Sequence, residues 1–121
     1  AWRSLSRHAT VLAFGSDAPI EIFDPFLGLY AAVTRRSEYA GESAEGAWYP
    51  EQCLSLKEAL RAYTWGAAYA GGIENTHGAL APGMNGDLAV LDRDIFSEPP
   101  AALLETRVRR VMVAGLWQDL S

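Results

Sequence analysis

Thr10-Val11-Leu12-Ala13-Phe14-Gly15-Ser16-Asp17-Ala18-Pro19 opens with five residues rich in β-formers and runs, without a polar break, into a glycine, a small hydroxyl, a carboxylate and a proline. Such a run predicts a strand over Thr10–Phe14 that is buried on both faces and stops abruptly. It delivers Asp17 at the strand's C-terminal end. In parallel α/β architectures, and in (β/α)8 barrels above all, the loops at that end converge on one pocket while the opposite end only holds the scaffold together. Asp17 is therefore the candidate functional carboxylate, the alternative being an aspartate whose side chain caps the following turn.

Outward from this run, the flanks read as one step of an α/β repeat. Upstream, Trp2, Leu5 and Ala9 recur at spacings of three and four, as expected of a helix tail leading into the strand. The chain opens Ala1-Trp2-Arg3 already inside that amphipathic segment, so these residues are expected to continue something upstream. His8 suits the negative end of the helix dipole, and Arg3 is either a surface cation or a group reaching a pocket. Downstream, Asp24-Pro25 combines an N-cap acceptor with proline at the first helical position. Phe26, Leu27, Leu29, Tyr30 and Val33 then mark a short helix ending near Arg35-Arg36.

From Ser37 to Tyr49 the composition turns to Gly, Ser, Glu and Ala, predicting a long loop of the kind that borders pockets. Trp48 and Tyr49 are expected to anchor it on the core. Ser55-Leu56-Lys57-Glu58 is a capping box, opening a helix to about Ala70 with Leu56, Leu60, Tyr63, Ala67 and Ala70 along one face and a left-handed cap at Gly71-Gly72. Past Gly72 the hydrophobic period changes from 3.6 to 2. Ala79-Leu80, Leu88–Leu91 and Val108–Val113 read as short strands separated by Pro82-Gly83, Asn85-Gly86 and Ala114-Gly115, with a helical turn or two after Pro99-Pro100. Asp87, Asp92 and Asp94 fit no EF-hand spacing and read as turn residues, as does His77 beside Gly78.

A net charge of −5 excludes an electrostatic nucleic-acid binder, since the longest basic runs are the pairs Arg35-Arg36 and Arg109-Arg110, read as solvated faces. The single Cys53 excludes an internal disulfide or thiolate zinc site, reads as a small buried hydrophobe and suits a reducing, cytoplasmic setting. No apolar run approaches a bilayer's thickness, so no membrane partner is expected.

In order and spacing, a series of motifs resembles the C-terminal part of the amidohydrolase superfamily, in the branch called amidohydrolase family 3. They are Trp2-Arg3-Ser4-Leu5, Leu12–Pro19, Asp24-Pro25, Ala32-Val33-Thr34-Arg35-Arg36, Leu54–Thr64, Gly78-Ala79-Leu80-Ala81-Pro82-Gly83 and Gly86–Asp92. The resemblance implies an α/β fold, with Thr10–Phe14 the eighth strand of a (β/α)8 TIM-type barrel and Ser55–Ala70 its closing helix. Residues 1–72 would be the end of the barrel, and residues 73–121 part of an adjoining small β-sandwich domain. It also implies that Asp17 binds a divalent metal, zinc being the expected ion, and takes a proton from the water that the metal activates. Arg3 is the candidate substrate-binding cation, the substrate being a small amide-like molecule with a carbon–nitrogen bond outside peptides.

Two positions depart tolerably from the family pattern, Ala9 for a glycine and Met84 for a lysine. More consequential, the family's other metal ligands are a His-x-His on the first strand, a carboxylated lysine or glutamate on the fourth and histidines on the fifth and sixth, and no His-x-His occurs here. By itself the chain is thus expected to hold no metal, to be inactive, and to associate with the rest of the barrel or with itself. A non-catalytic α+β interaction module is the alternative.

Overall fold

The computed structural model describes residues 1–8, 10–37 and 46–119; Ala9 and residues 38–45 of the expected loop lie outside them. Helix α1 (Trp2–Arg7) and helix α2 (Pro25–Thr34) occupy the places their spacing predicts. Asp24 caps α2 by accepting from the Phe26 N–H at 2.9 Å, and Phe26, Leu29 and Ala32 bury its inner face. At its C-cap, Arg35 takes a left-handed φ of 56° and donates its N–H to Ala31 O.

Rather than extending into solvent, Arg35 closes the base of the loop. Its Nε donates to Trp48 O at 3.0 Å, the Trp48 N–H donates to Arg35 O at 2.9 Å, and its guanidinium lies over the indoles of Trp2 and Trp48. Trp48 and Tyr49, expected to anchor the loop on the core, are both exposed, and Trp48 is tied to Arg35 at the end of α2 instead. Arg110 is exposed, as the solvated-face reading expects, with its guanidinium 3.5 Å over the exposed Trp117 ring.

The capping box forms as predicted. Ser55 Oγ accepts from the Glu58 N–H, and Glu58 Oε2 accepts from the Ser55 N–H at 2.7 Å. The helix that follows is not uniform. Helix α3 (Leu56–Arg61) widens into a π turn (Ala62–Gly66) before helix α4 (Ala67–Ala70). One residue accommodated in a π turn rotates everything after it by about 100° relative to 3.6 spacing. Ala59, Ala62, Gly66 and Ala68 are the buried residues, while Ala70, expected on the packed face, lies beyond the π turn and is exposed. A Schellman motif ends α4, with Gly72 N–H donating to Tyr69 O and Ile73 N–H to Ala68 O, and the left-handed φ falls on Gly72.

The second part is less strand-rich than expected. Strands β1 (Leu88–Leu91), β2 (Val108–Val113) and β3 (Leu116–Gln118) form one antiparallel sheet in the order β1-β2-β3. Ala79-Leu80 is not a strand. Side-chain-capped turns and the 3-10 helix Pro100–Glu105 interrupt the period-2 pattern. The unforeseen strand is β3, joined to β2 through Ala114 (φ 51°) and Gly115 (φ 79°), the two positive φ values of a type I′ hairpin.

A single core joins the two parts. Phe26, Leu29, Ala32, Leu54 and Ala59 pack with Ile95 and Leu103, and Leu12, Phe14, Tyr63 and Leu91 close over them. The fold is thus mixed α/β with a three-stranded antiparallel sheet. Thr10–Phe14, expected as a strand within a sheet, forms no strand and has no strand partner among the described residues. A ladder needs a neighbouring strand, and here the run lies on helices instead.

Candidate functional site

Along the run, Leu12, Phe14 and Ser16 are half-buried while Val11, Ala13, Gly15 and Asp17 are exposed. That is the period of 2 of extended backbone, and it leaves one face packed on this chain's helices and the other open. Phe14 secures the packed face. Its ring lies 5.4 Å from that of Trp2 and stands edge-on to Tyr63 at 5.5 Å, and its N–H donates to Ala62 O at 3.0 Å.

Asp17 ends the run with a left-handed φ of 56°, a conformation that Asp tolerates better than most residues. Its carbonyl accepts from the Ile20 N–H at 2.9 Å. Its carboxylate behaves unlike those of the other turn aspartates. Asp24 accepts from Phe26 N–H, Asp87 from Ala114 N–H at 2.7 Å, Asp92 from Arg107 N–H and Arg93, and Asp94 from Phe96 N–H and the Ser97 hydroxyl. These bonds hold the carboxyl of Asp92, chiefly through Arg107 N–H, and that of Asp94, chiefly through the Ser97 hydroxyl, below the usual range. The Asp17 carboxylate makes no such bond among the described residues, so the capping alternative finds no support in its geometry. Exposed Ile20 and Phe23 follow it.

Arg3 lies half-buried at the junction of α1 and α3. Its Nη1 donates to Cys53 O at 3.0 Å, and its charge contributes to lowering the pKa of Glu58, behind the Ser55 hydrogen bonds. Cys53 itself is half-buried. The ion pairs among the described residues are His77–Asp87, Arg93–Asp92 and Arg93–Glu105, so Arg3 and Asp17 form none with each other.

Neither histidine joins Asp17. His8 caps α1, its Nδ1 2.7 Å from Ser4 O. The ring nitrogens of His77 face the Thr76 hydroxyl and the Asn85 amide at 2.8 and 2.9 Å. No three His, Cys, Asp or Glu side chains among the described residues converge as a metal site. An exposed, unbonded carboxylate is a suitable hard ligand for a divalent cation, so Asp17 fits the role of one ligand of a larger set.

An open cleft of about 280 Å³ lies along the start of the run, lined by Thr10, Val11, Glu58, Arg61 and Trp65 among others, and Asp17 does not line it. Its charged groups are already engaged, Glu58 with Ser55 and Arg61 over the Trp65 ring at 4.1 Å. The feature that sequence reasoning missed is the π turn. Its signal was Gly66, an isolated glycine in an otherwise alanine-rich helix.

Residues 1–116 match the Amidohydrolase family. The chain belongs to that family, a family of hydrolases. It is 36% identical over 115 residues to YtcJ of Bacillus subtilis (strain 168), which carries an amidohydrolase designation, and covers 95% of this chain and 21% of that one. It is 32% identical over 114 residues to N-substituted formamide deformylase of Arthrobacter pascens, covering 94% of this chain and 20% of that protein. An amidohydrolase from Thermotoga maritima MSB8 shares the fold, with a TM-score of 0.66 at 19% identity over 93% of this chain and 24% of that structure. The chain thus spans about a fifth of the length of the curated relatives it matches.

Proposed function

We propose that this chain is the C-terminal portion of a metal-dependent amidohydrolase that hydrolyses a non-peptide carbon–nitrogen bond, with Asp17 as metal ligand and general base. The single observation that carries the reading is the uncommitted Asp17 carboxylate at the end of an extended run, on the side facing away from the helices. Residues 1–72 would contribute the eighth strand and closing helices of a (β/α)8 barrel, and residues 73–121 strands of a small β-sandwich beside it. The open face of Val11, Ala13, Gly15 and Asp17 would then turn toward the barrel axis, where small side chains leave room for a site.

A divalent cation, zinc in this reading, supplies the lowered pKa of its water. Asp17 contributes one oxygen ligand, accepts a proton and returns it to the leaving nitrogen. The rest of the barrel supplies the remaining ligands, since catalytic sites of this kind use about three protein groups. The 121-residue chain alone is accordingly inactive and associates with the missing barrel or with itself. The relative from Arthrobacter pascens points to N-substituted formamides as the first small amide-like substrates to assay. Arg3 enters the proposal as a cation near the substrate only if freed from Cys53. The enzyme is assigned to the cytoplasm, in keeping with the free thiol of Cys53.

Asp17→Asn in the complete enzyme tests the reading. The near-isosteric change leaves the fold intact and lowers turnover by roughly 10²–10⁴-fold through loss of the base. Wild-type turnover would refute the assignment of Asp17 as general base. Calorimetry of the isolated chain with zinc is expected to show no Asp17-dependent stoichiometric binding at micromolar affinity.

A further inference from the structure

The run that ends at Asp17 is seated on helix rather than strand, and the details of that seat are unusual. In a regular helix the Ala62 carbonyl points at the N–H of Gly66, four residues on. The wider π turn loosens that ladder, and the Phe14 N–H reaches the same carbonyl at 3.0 Å. Four residues further round the same turn, Gly66 faces Leu12. A Cβ built on Gly66 would collide with the Leu12 carbonyl oxygen and would lie 3.1 Å from the Leu12 carbonyl carbon. Only glycine lets the run settle this deeply.

A third contact comes from Tyr63, also in the π turn, which stands edge-on to Phe14 and whose hydroxyl end sits where a Cβ on Gly28 of α2 would be. The π turn is therefore held between α2 on one side and the run on the other. Among the described residues, the Phe14–Ala62 bond is also the last backbone hydrogen bond of the run before the Asp17 carbonyl's own bond to Ile20.

We infer that the π turn Ala62–Gly66 is a positioning device for the site, with Gly66 the residue that sets the height of the run and thereby the place of Asp17. The inference rests on the proposed role of Asp17 as a metal ligand. Gly66 touches neither metal nor substrate in this scheme and acts only through Leu12 and Phe14. A methyl group on Gly66 lifts Leu12 and breaks the short tether at Phe14, only three residues from Asp17. Groups that orient a metal ligand are typically worth 10–100-fold in metal affinity or activity, and misplacement of a ligand by about 1 Å is costly for the same reason.

The test compares zinc affinity, by competition with a chelator, among four forms of the complete enzyme: wild type, Asp17→Asn, Gly66→Ala and Ser55→Ala. Ser55→Ala removes the N-cap of α3 and so lowers stability without moving the run. Gly66→Ala is expected to weaken zinc binding by roughly 10–100-fold while Ser55→Ala binds as wild type, a pattern that a merely structural role would not produce. Wild-type affinity in Gly66→Ala, with Asp17→Asn weakened, overturns the positioning inference and leaves the role of Asp17 standing. Wild-type affinity in Asp17→Asn overturns the ligand assignment itself. Should Gly66→Ala fail to fold, Phe14→Leu decides, because it removes the edge-on contact with Tyr63 of the π turn while keeping an apolar side chain: weakened zinc binding supports positioning through this seat, and wild-type affinity overturns it.

Discussion

The helical part and the sheet of this molecule are stabilised in different ways. Around α2 and α3, side chains do the work: Leu29, Ala32, Leu54 and Ala59 are almost fully enclosed, and the 3-10 helix adds Leu103 to the same cluster. In the sheet, no residue of β1, β2 or β3 is fully buried, and every residue of β3 is exposed. What holds the sheet is backbone pairing, the type I′ turn and polar ties, such as Asp87 to the Ala114 N–H and Gly86 O to the Gly115 N–H. Cores are sensitive to single methyl groups, whereas surfaces held by backbone bonds tolerate side-chain change. The contrast teaches that stability concentrates in the helical part, and that the sheet's apolar side chains, among them Leu116 and Val113, are free for contacts that this chain does not itself make.

Urea unfolding of the 121-residue chain would sharpen or break this contrast. Leu29→Ala, at 3% exposure, is expected to cost about 2–5 kcal/mol through lost burial and a cavity; a cost below 1 kcal/mol would mean that the core of α2 is not where the stability lies. Gly28→Ala comes next, at about 1–3 kcal/mol, because its methyl group meets the Tyr63 hydroxyl. Double substitution with Tyr63→Phe should recover part of that loss, and strictly additive costs would contradict the contact. Ser55→Ala removes the cap of α3 for about 1 kcal/mol. Smallest is Leu116→Ser on the open sheet, expected within about 0.5 kcal/mol of wild type. A loss comparable to that of Leu29→Ala would show that the sheet covers a core of its own.

Acid offers a further separation. The Ser55 side-chain and backbone hydrogen bonds hold the Glu58 carboxyl below its ordinary value of 4.5, against a smaller opposing effect of burial. A carboxyl lowered in the folded state contributes stability that is fully present above its unfolded pKa and lost as pH falls through its folded one. The stability difference between wild type and Glu58→Gln should therefore be constant at neutral pH and shrink below about 4.5. A difference that grows on acidification would contradict the hydrogen-bonded geometry of the capping box.

Much of the local structure was legible without coordinates, and for local reasons. Asp24-Pro25, Ser55 with Glu58, and Gly71-Gly72 act on backbone groups within a few residues of themselves, so their identities suffice to place the start of α2, the start of α3 and the end of α4, and Ala114-Gly115 marks the end of β2 but not the strand β3 beyond it. β1 and β2 followed from alternation in the same way. The motif order from Leu12 to Asp92 was likewise enough to place the chain in its family.

Other features depended on partners distant in sequence. Residues Thr10–Phe14 read as a buried strand because their composition suits one, yet pairing requires a neighbour, and the tertiary structure lays the run on the π turn. Arg35 reads as a solvated charge, yet its guanidinium lies over the rings of Trp2 and Trp48, both distant from it in sequence. The same division holds at the candidate site. Its position at the end of an apolar run singled out Asp17 by sequence alone. That its carboxylate stays unbonded while Asp24, Asp87, Asp92 and Asp94 each satisfy a backbone N–H was decided only in three dimensions, because a capping bond exists only where the folded chain brings a donor within reach.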